Sequence, residues 1–257
     1  MKANGERNSN DILGLAAFGE AAKIGVQGLV DGTGAFLSRI CLPAAEEIGL
    51  YFADNVRHWR KANFESVLKK AEEKLALQNS DSNLQIHPRM ASKILEEASW
   101  IDDPFVQDAW SGLLASACTE DGQDDSNLVF VNLLAELTST QVKILNLACE
   151  NADKMVGADN DFVSCIRLEI SAKRLMEETK ITDLNKLDFQ LDDLRYKGLL
   201  IDGGFESPNS LINYALIQPT SLALNLYIRG QGCRVAPHIF FNLKESPHPD
   251  YFRKLID

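Results

Sequence analysis

The order of elements between Ser139 and Arg229 constrains this chain more than any other feature. Ser139–Glu150 carries Val142, Leu145 and Cys149 on one side, the spacing of a helix. A short extended run follows at Phe162–Ile170, then a helix at Ser171–Thr179. A second helix spans Thr182–Lys197, where Leu184, Leu187, Leu191 and Leu194 recur at three, four and three. Gly198 ends it as a C-terminal glycine does. Two strands come next, Leu199–Phe205 and Leu211–Gln218, joined by a turn containing Ser207-Pro208-Asn209, and Pro219-Thr220 opens a last helix to about Arg229. Helix, strand, helix, helix, hairpin is the order of a winged helix-turn-helix. Its predicted core includes Leu145, Leu187, Leu191, Leu194, Leu200, Ile217 and Leu224.

The part before Ser139 reads as helical throughout. Residues 1–10 are polar and predict a disordered tail. Helices are predicted at 11–30 and 34–41. Pro43 then starts a long one, because a missing N–H is not needed in a first helical turn. Its apolar stripe runs through Ile48, Phe52, Val56, Trp59, Phe64, Val67, Leu68, Ala71 and Leu75 to about Leu77. After the Asn79–Asn83 loop, His87-Pro88 opens a helix to Trp100. Asp103-Pro104 opens another to Cys118, with Asp103 as N-cap. The acidic loop Thr119–Asn127 precedes a helix at 127–137. The predicted fold class is mainly α, an N-terminal helical region followed by a winged helix-turn-helix-like α+β domain. The predicted divisions are a tail (1–10), a Gly/Ala-rich amphipathic leader (11–42), a helical domain (43–137), a winged-helix-like domain (138–232) and a C-terminal extension (233–257).

Within the leader, Ala17, Ala21, Gly25, Gly28 and Gly32 fall at steps of four, four, three and four, on one helical face. Glycine costs roughly 1 kcal/mol in a helix interior relative to alanine, so repeated use fits close approach of a second backbone. This face is the candidate for self-association, with tight packing inside one chain as the alternative. Ile12–Val30 is also the most apolar window. Its Glu20, Lys23, Gln27 and Asp31 form a polar stripe that a lipid-spanning helix rarely carries. Membrane contact is therefore the disfavoured reading of the leader.

The formal net charge of −11 argues against a general polyanion binder, which needs clustered Lys and Arg. The Thr182–Lys197 helix sets Asp183, Asp188, Asp192 and Asp193 against Lys186, Arg195 and Lys197. The Gly203–Leu211 wing contains Glu206 and no basic residue. A helix entering the major groove with that many carboxylates meets repulsion, so a protein-contact or architectural winged helix is favoured over a sequence-specific DNA reader.

Cys41, Cys118, Cys149, Cys165 and Cys233 occur singly, the usage of buried thiols in a reducing cytosol. With no signal peptide visible, the expected location is the cytoplasm, peripheral attachment to the inner membrane being the alternative. His58, His87, His238 and His248 have no metal-ligand spacing, and no phosphate loop, nucleophile elbow or His-Glu-x-x-His pair is present. Glu120, Asp121, Asp124 and Asp125 do not follow an EF-hand spacing. Glu46-Glu47, Glu72-Glu73 and Glu96-Glu97 are helical neighbours that point apart. No catalytic, cofactor-binding or metal-binding residues are assigned. Arg57, His58, Arg60 and Lys61 make the densest basic run, a candidate patch for an anionic partner. The competing reading is the solvated side of a helix that buries Trp59.

Leu42-Pro43-Ala44-Ala45-Glu46-Glu47-Ile48-Gly49, then Val56-Arg57-His58-Trp59-Arg60, resemble the start of the abortive-infection alpha family. The likeness continues through Leu95–Ser99, Ile101-Asp102-Asp103-Pro104 and Gln107-Asp108-Ala109-Trp110-Ser111-Gly112-Leu113-Leu114-Ala115. It resumes at Leu137-Thr138-Ser139 and Lys143-Ile144-Leu145 and covers roughly residues 40–230; the Gly-rich leader lies outside it. The resemblance implies a bacterial role against phage in which the infected cell is arrested or killed, and it transfers no catalytic residue. The expectation is a non-enzymatic protein acting by assembly, as a homo-oligomer, with a protein partner of a defence system, or with a phage component. The alternatives are a membrane-perturbing effector using residues 11–42 and a winged-helix transcriptional regulator.

Overall fold

In a computed structural model of the chain, residues 33–41, 58–77, 84–157, 162–206 and 214–243 are described. Over these the protein is mainly helical with small antiparallel sheets. Helices α1 (Thr33–Ile40), α2 (His58–Leu77), α3 (Pro88–Ser99), α4 (Pro104–Ser116) and α5 (Leu128–Ala135) come first. The second half holds α6 (Ser139–Asn151), β1 (Lys154–Val156), β2 (Val163–Cys165), β3 (Leu168–Ser171), α7 (Ala172–Thr179) and α8 (Leu184–Tyr196). After them come β4 (Leu200–Glu206), β5 (Tyr214–Pro219), α9 (Ser221–Gly230) and α10 (Pro237–Phe240). The predicted helix at 11–30 and the first part of the one from Pro43 lie outside the described residues.

Local chemistry sets the boundaries. Asp103 accepts from the Phe105 N–H at 2.9 Å, with Pro104 opening α4. Thr138 and Gln141 cap α6 reciprocally, each side chain taking the other's backbone N–H. Gly198, at φ +70°, takes the left-handed turn after α8, where its N–H reaches the Arg195 carbonyl at 2.9 Å. The pairing predicted for the two C-terminal strands is present: β5 is central, with β3 on one side and β4 on the other, all antiparallel. A separate β1–β2 hairpin sets Lys154 opposite Cys165. The sequence reading assigned one extended run from Phe162 and missed β1, whose three residues are too few to show alternation. It also missed the short α10.

Leu145, Leu187, Leu191, Leu194, Leu200, Ile217 and Leu224 are all buried, as predicted. They belong to a single contiguous cluster that also takes in Phe36, Phe64, Ile94 and Trp110 from the first half. The two halves meet where α4 crosses α9. At Gly112 a Cβ would lie 1.6 Å from the Gly230 carbonyl oxygen, so backbone rests on backbone there. Hydrogen bonds fix α2 on the other side of α4. The Gln107 amide donates to the Ile101 carbonyl at 2.8 Å and accepts from the Ser66 hydroxyl at 2.9 Å, and Lys74 pairs with Asp108 at 3.1 Å.

Candidate functional site

Three places concentrate polar chemistry or exposed aromatic surface. The first is where α2 leans on α3. Arg60 is buried and donates to the Ser99 hydroxyl from Nε at 3.1 Å and Nη2 at 2.7 Å, with Glu96 at 3.3 Å. Its guanidinium lies 3.7 Å from the centre of the Trp100 ring, and Trp59 meets Trp100 edge to face at 5.7 Å. The expectation for Trp59 is overturned: it is 43 % exposed, and Arg60 occupies the inward position. Of the basic run, Arg57 and the His58 side chain lie outside the described residues. Lys61 sits 3.9 Å from Glu65, and Arg60 is engaged inside the fold. The acid pairs also act locally here, Glu96 on Arg60 and Glu72 near Arg39 at 3.6 Å.

The second place surrounds Lys154, which sequence reasoning did not single out. Its Nζ donates to the Ala152 carbonyl at 2.7 Å and lies 4.3 Å from the centre of the Phe241 ring. Burial lowers its pKa, while the neighbouring Cys165 and Cys149 act the other way. Burial also raises the two thiols, Cys165 to about 11 and Cys149 well above its ordinary value. Tyr227, donating to Glu150 at 3.3 Å, is pushed up by burial and by that carboxylate. A protonated thiol is a poor nucleophile and a poor metal ligand. Cys41, Cys118, Cys149 and Cys165 are buried, and Cys233 is half-buried. Cys118 is pushed up to about 12 by burial.

The third place is the outward side of α8. Leu187, Leu191 and Leu194 face the core, while Phe189 is 59 % and Tyr196 90 % exposed. Asp192 pairs with Arg195 at 2.7 Å. Asp193 accepts from the Gln141 amide at 2.6 Å and pairs with Lys197 at 3.1 Å; the Gln141 bond leads in holding its carboxyl below the usual range. Gln190 takes a hydrogen bond from the Thr138 hydroxyl at 2.8 Å, so α8 is tied to the start of α6. The exposed aromatics were not flagged by the leucine spacing, which reports only the inner side.

The remaining sequence candidates stay apart. His87 caps α3, its Nδ1 accepting from the Arg89 N–H at 3.3 Å, and His238 lies in α10. In the acidic loop, Asp121 accepts from the Thr119 hydroxyl at 2.9 Å and Asp124 from the Ser126 N–H at 2.9 Å, with Arg234 on Asp124 at 3.5 Å. No group of acids, histidines and cysteines with metal-binding geometry occurs among the described residues. No described helix is long and apolar enough to cross a membrane. Ala17, Ala21, Gly25, Gly28 and Gly32 lie outside the described residues.

The residues that carried the family resemblance are now visible as architecture. Trp110, Ser111, Gly112, Leu113 and Leu114 line the inside of α4, and Gln107 and Asp108 fasten it to α2. No curated protein and no solved structure matches the chain. A family model described as abortive infection alpha matches residues 60–222, starting after the Leu42–Gly49 segment and ending just inside α9. The match spans more than half of the chain and both halves of the core, and on it the protein belongs to the abortive infection alpha family.

Proposed function

We propose that this protein protects a bacterial population from phage without turning over a substrate. It acts in the cytoplasm by assembling with itself, with a protein partner of a defence system, or with a phage component. Residues 139–230 serve it as a winged helix used for protein contact. The observation that carries this reading is the outward side of α8, the surface a DNA-reading winged helix turns toward the major groove. It presents Phe189, Tyr196 and carboxylates. Phosphate contact asks for Lys and Arg free to replace counterions; Arg195 and Lys197 are already held by Asp192 and Asp193, and the exposed Lys186 stands between the carboxylates of Asp183 and Asp188. Exposed aromatics with a polar surround are instead what protein interfaces use as anchors.

The test is phage plating together with survival of infected cultures. His58→Ala, His87→Ala and His238→Ala should each leave protection intact, since a hidden hydrolase or metal enzyme would need them most. Loss of protection in a folded histidine variant would overturn the non-enzymatic reading. Gly28→Leu should abolish protection where the 17–32 small-residue face is an assembly surface. Full protection by that variant assigns the face to packing within the chain.

A further inference from the structure

On a helix of about 3.6 residues per turn, Asn185, Phe189, Asp192 and Tyr196, spaced four, three and four, share the side opposite Leu187, Leu191 and Leu194. Four-three-four is the spacing of a two-helix seam, here turned away from the core. A two-fold contact requires that residue i of one copy meet j of the other and j meet i. An antiparallel pair of α8 helices, with its axis between Asp192 and Asp193, satisfies this, because Phe189 and Tyr196 are equidistant from that axis. Each phenylalanine then faces a tyrosine of the other copy.

Charge agrees with this register. In an antiparallel pair each flank of a helix meets the same flank of the other copy. Asp188 and Arg195 share one flank, about 20° apart around the axis, so Asp188 of one copy comes within reach of Arg195 of the other. Arg195 already holds Asp192 at 2.7 Å, and a guanidinium has enough donors to serve a second carboxylate. The carboxylates nearest the axis carry their own counter-charges, Asp192 in Arg195 and Asp193 in Lys197.

We propose that the outward side of α8 is a self-association surface that pairs antiparallel with α8 of a second copy of this chain. Phe189 packs on Tyr196 of the other copy, and Asp188 bridges to Arg195. The proposal rests on the protein-contact reading of this face and names its partner. Aromatic side chains bury about 150–250 Å² each when fully covered, so four rings fall short of the roughly 1,600 Å² of a standard interface. The pair is accordingly weak and concentration-dependent.

The experiment mixes two differently tagged full-length chains, Phe189→Cys and Tyr196→Cys, with a short bifunctional thiol reagent, the unsubstituted chain reporting any reaction at Cys233. Such a mixed pair keeps one Phe189–Tyr196 contact. The 189–196 link between tags should exceed 189–189 and 196–196 links by about tenfold; equal yields, or no link, overturn the proposal. In sedimentation velocity, association of the Tyr196→Ser chain should be weakened relative to the unsubstituted chain, and identical profiles count against the pair. Loss of phage protection in Tyr196→Ser without a 189–196 link removes self-pairing and leaves α8 as a contact for another protein. A link with full protection in Tyr196→Ser leaves the pair standing and removes its role in defence. Duplex DNA binding that Tyr196→Ser abolishes overturns both readings.

Discussion

Two helix surfaces in this protein have opposite fates. Where α4 crosses α9, side chains are absent and the backbones close on each other, Gly112 against the Gly230 carbonyl. On the outside of α8, large rings stand in solvent and nothing in the described fold covers them. The first surface is finished within one chain, and any added atom must displace backbone. The second stands open among the described residues, so changing it is expected to cost the monomer little. Small residues mark where this fold closes on itself; the exposed rings of α8 take no part in that closure among the described residues.

The sharpest way to break that contrast is at Gly112. A methyl group there meets a carbonyl oxygen that cannot swing aside, so Gly112→Ala should destabilise by about 3 kcal/mol or more, at or above the upper end of ordinary overpacking. Urea unfolding measures it. A loss below about 0.5 kcal/mol, the range of neutral surface changes, would mean that the helices part easily and that the crossing does not join the halves.

The next effect is at Arg60. Truncation to Ala removes the guanidinium donors of the buried Ser99 hydroxyl, the Arg60–Glu96 ion pair and the cation over the Trp100 ring. A loss of about 2 kcal/mol is expected from the broken charge-assisted hydrogen bonds, read from the same unfolding curves. Arg60→Lys should recover only part of it, because an ammonium cannot stack and fork together. Full stability of Arg60→Ala would return this residue to the set of surface cations.

That corner also shows how far local periodicity carries. From Arg60 to Phe64 is four residues, about 40° around the helix, whereas from Trp59 to Phe64 is five, about 140°. The phase of Phe64, Val67, Leu68 and Ala71 therefore selects Arg60, and only the assumption that a tryptophan belongs inside placed Trp59 there. The cores of α6 and α8, the Asp103 cap of α4 and the β4–β5 pairing were legible because each rests on neighbours close in sequence. The Gly112–Gly230 crossing was not, because neither glycine belongs to a repeated stripe and their meeting is set by tertiary packing. The Lys154 cluster was hidden for the same reason: its groups come from α6, β1, β2, α9 and the turn after α10. Phe189 and Tyr196 on the outer side of α8 lie off the leucine stripe, whose periodicity reports only the inner side.

At α8 the expected change in stability is small and the change in behaviour is not. Phe189→Ser and Tyr196→Ser should shift unfolding free energy by no more than about 0.5 kcal/mol, since neither side chain is in the core. A loss near that of Gly112→Ala would show that α8 is already covered within the chain, and the contrast between the two surfaces would disappear.

At the start of α4, Asp103 caps the helix and pairs with Lys143 of α6 at 2.8 Å. Burial pushes the Asp103 carboxyl up, but the Lys143 ammonium and the Phe105 and Val106 N–H groups outweigh it and hold the pKa below its ordinary value. A carboxylate with a depressed folded pKa stabilises the fold fully above its unfolded pKa, about 4, and loses that contribution as pH falls through the folded value. Asp103→Asn separates the two roles, because asparagine caps a helix about as well as aspartate but carries no charge. Near pH 7 the variant should be less stable by about 0.5 kcal/mol, the scale of a solvent-screened pair, and the gap should shrink in high salt. As pH falls below about 4 the wild-type carboxylate becomes protonated and the two unfolding curves should converge. A gap that persists unchanged at pH 2 would mean that Asp103 works by shape and capping alone, and that the ion pair adds nothing to the joint between the two halves.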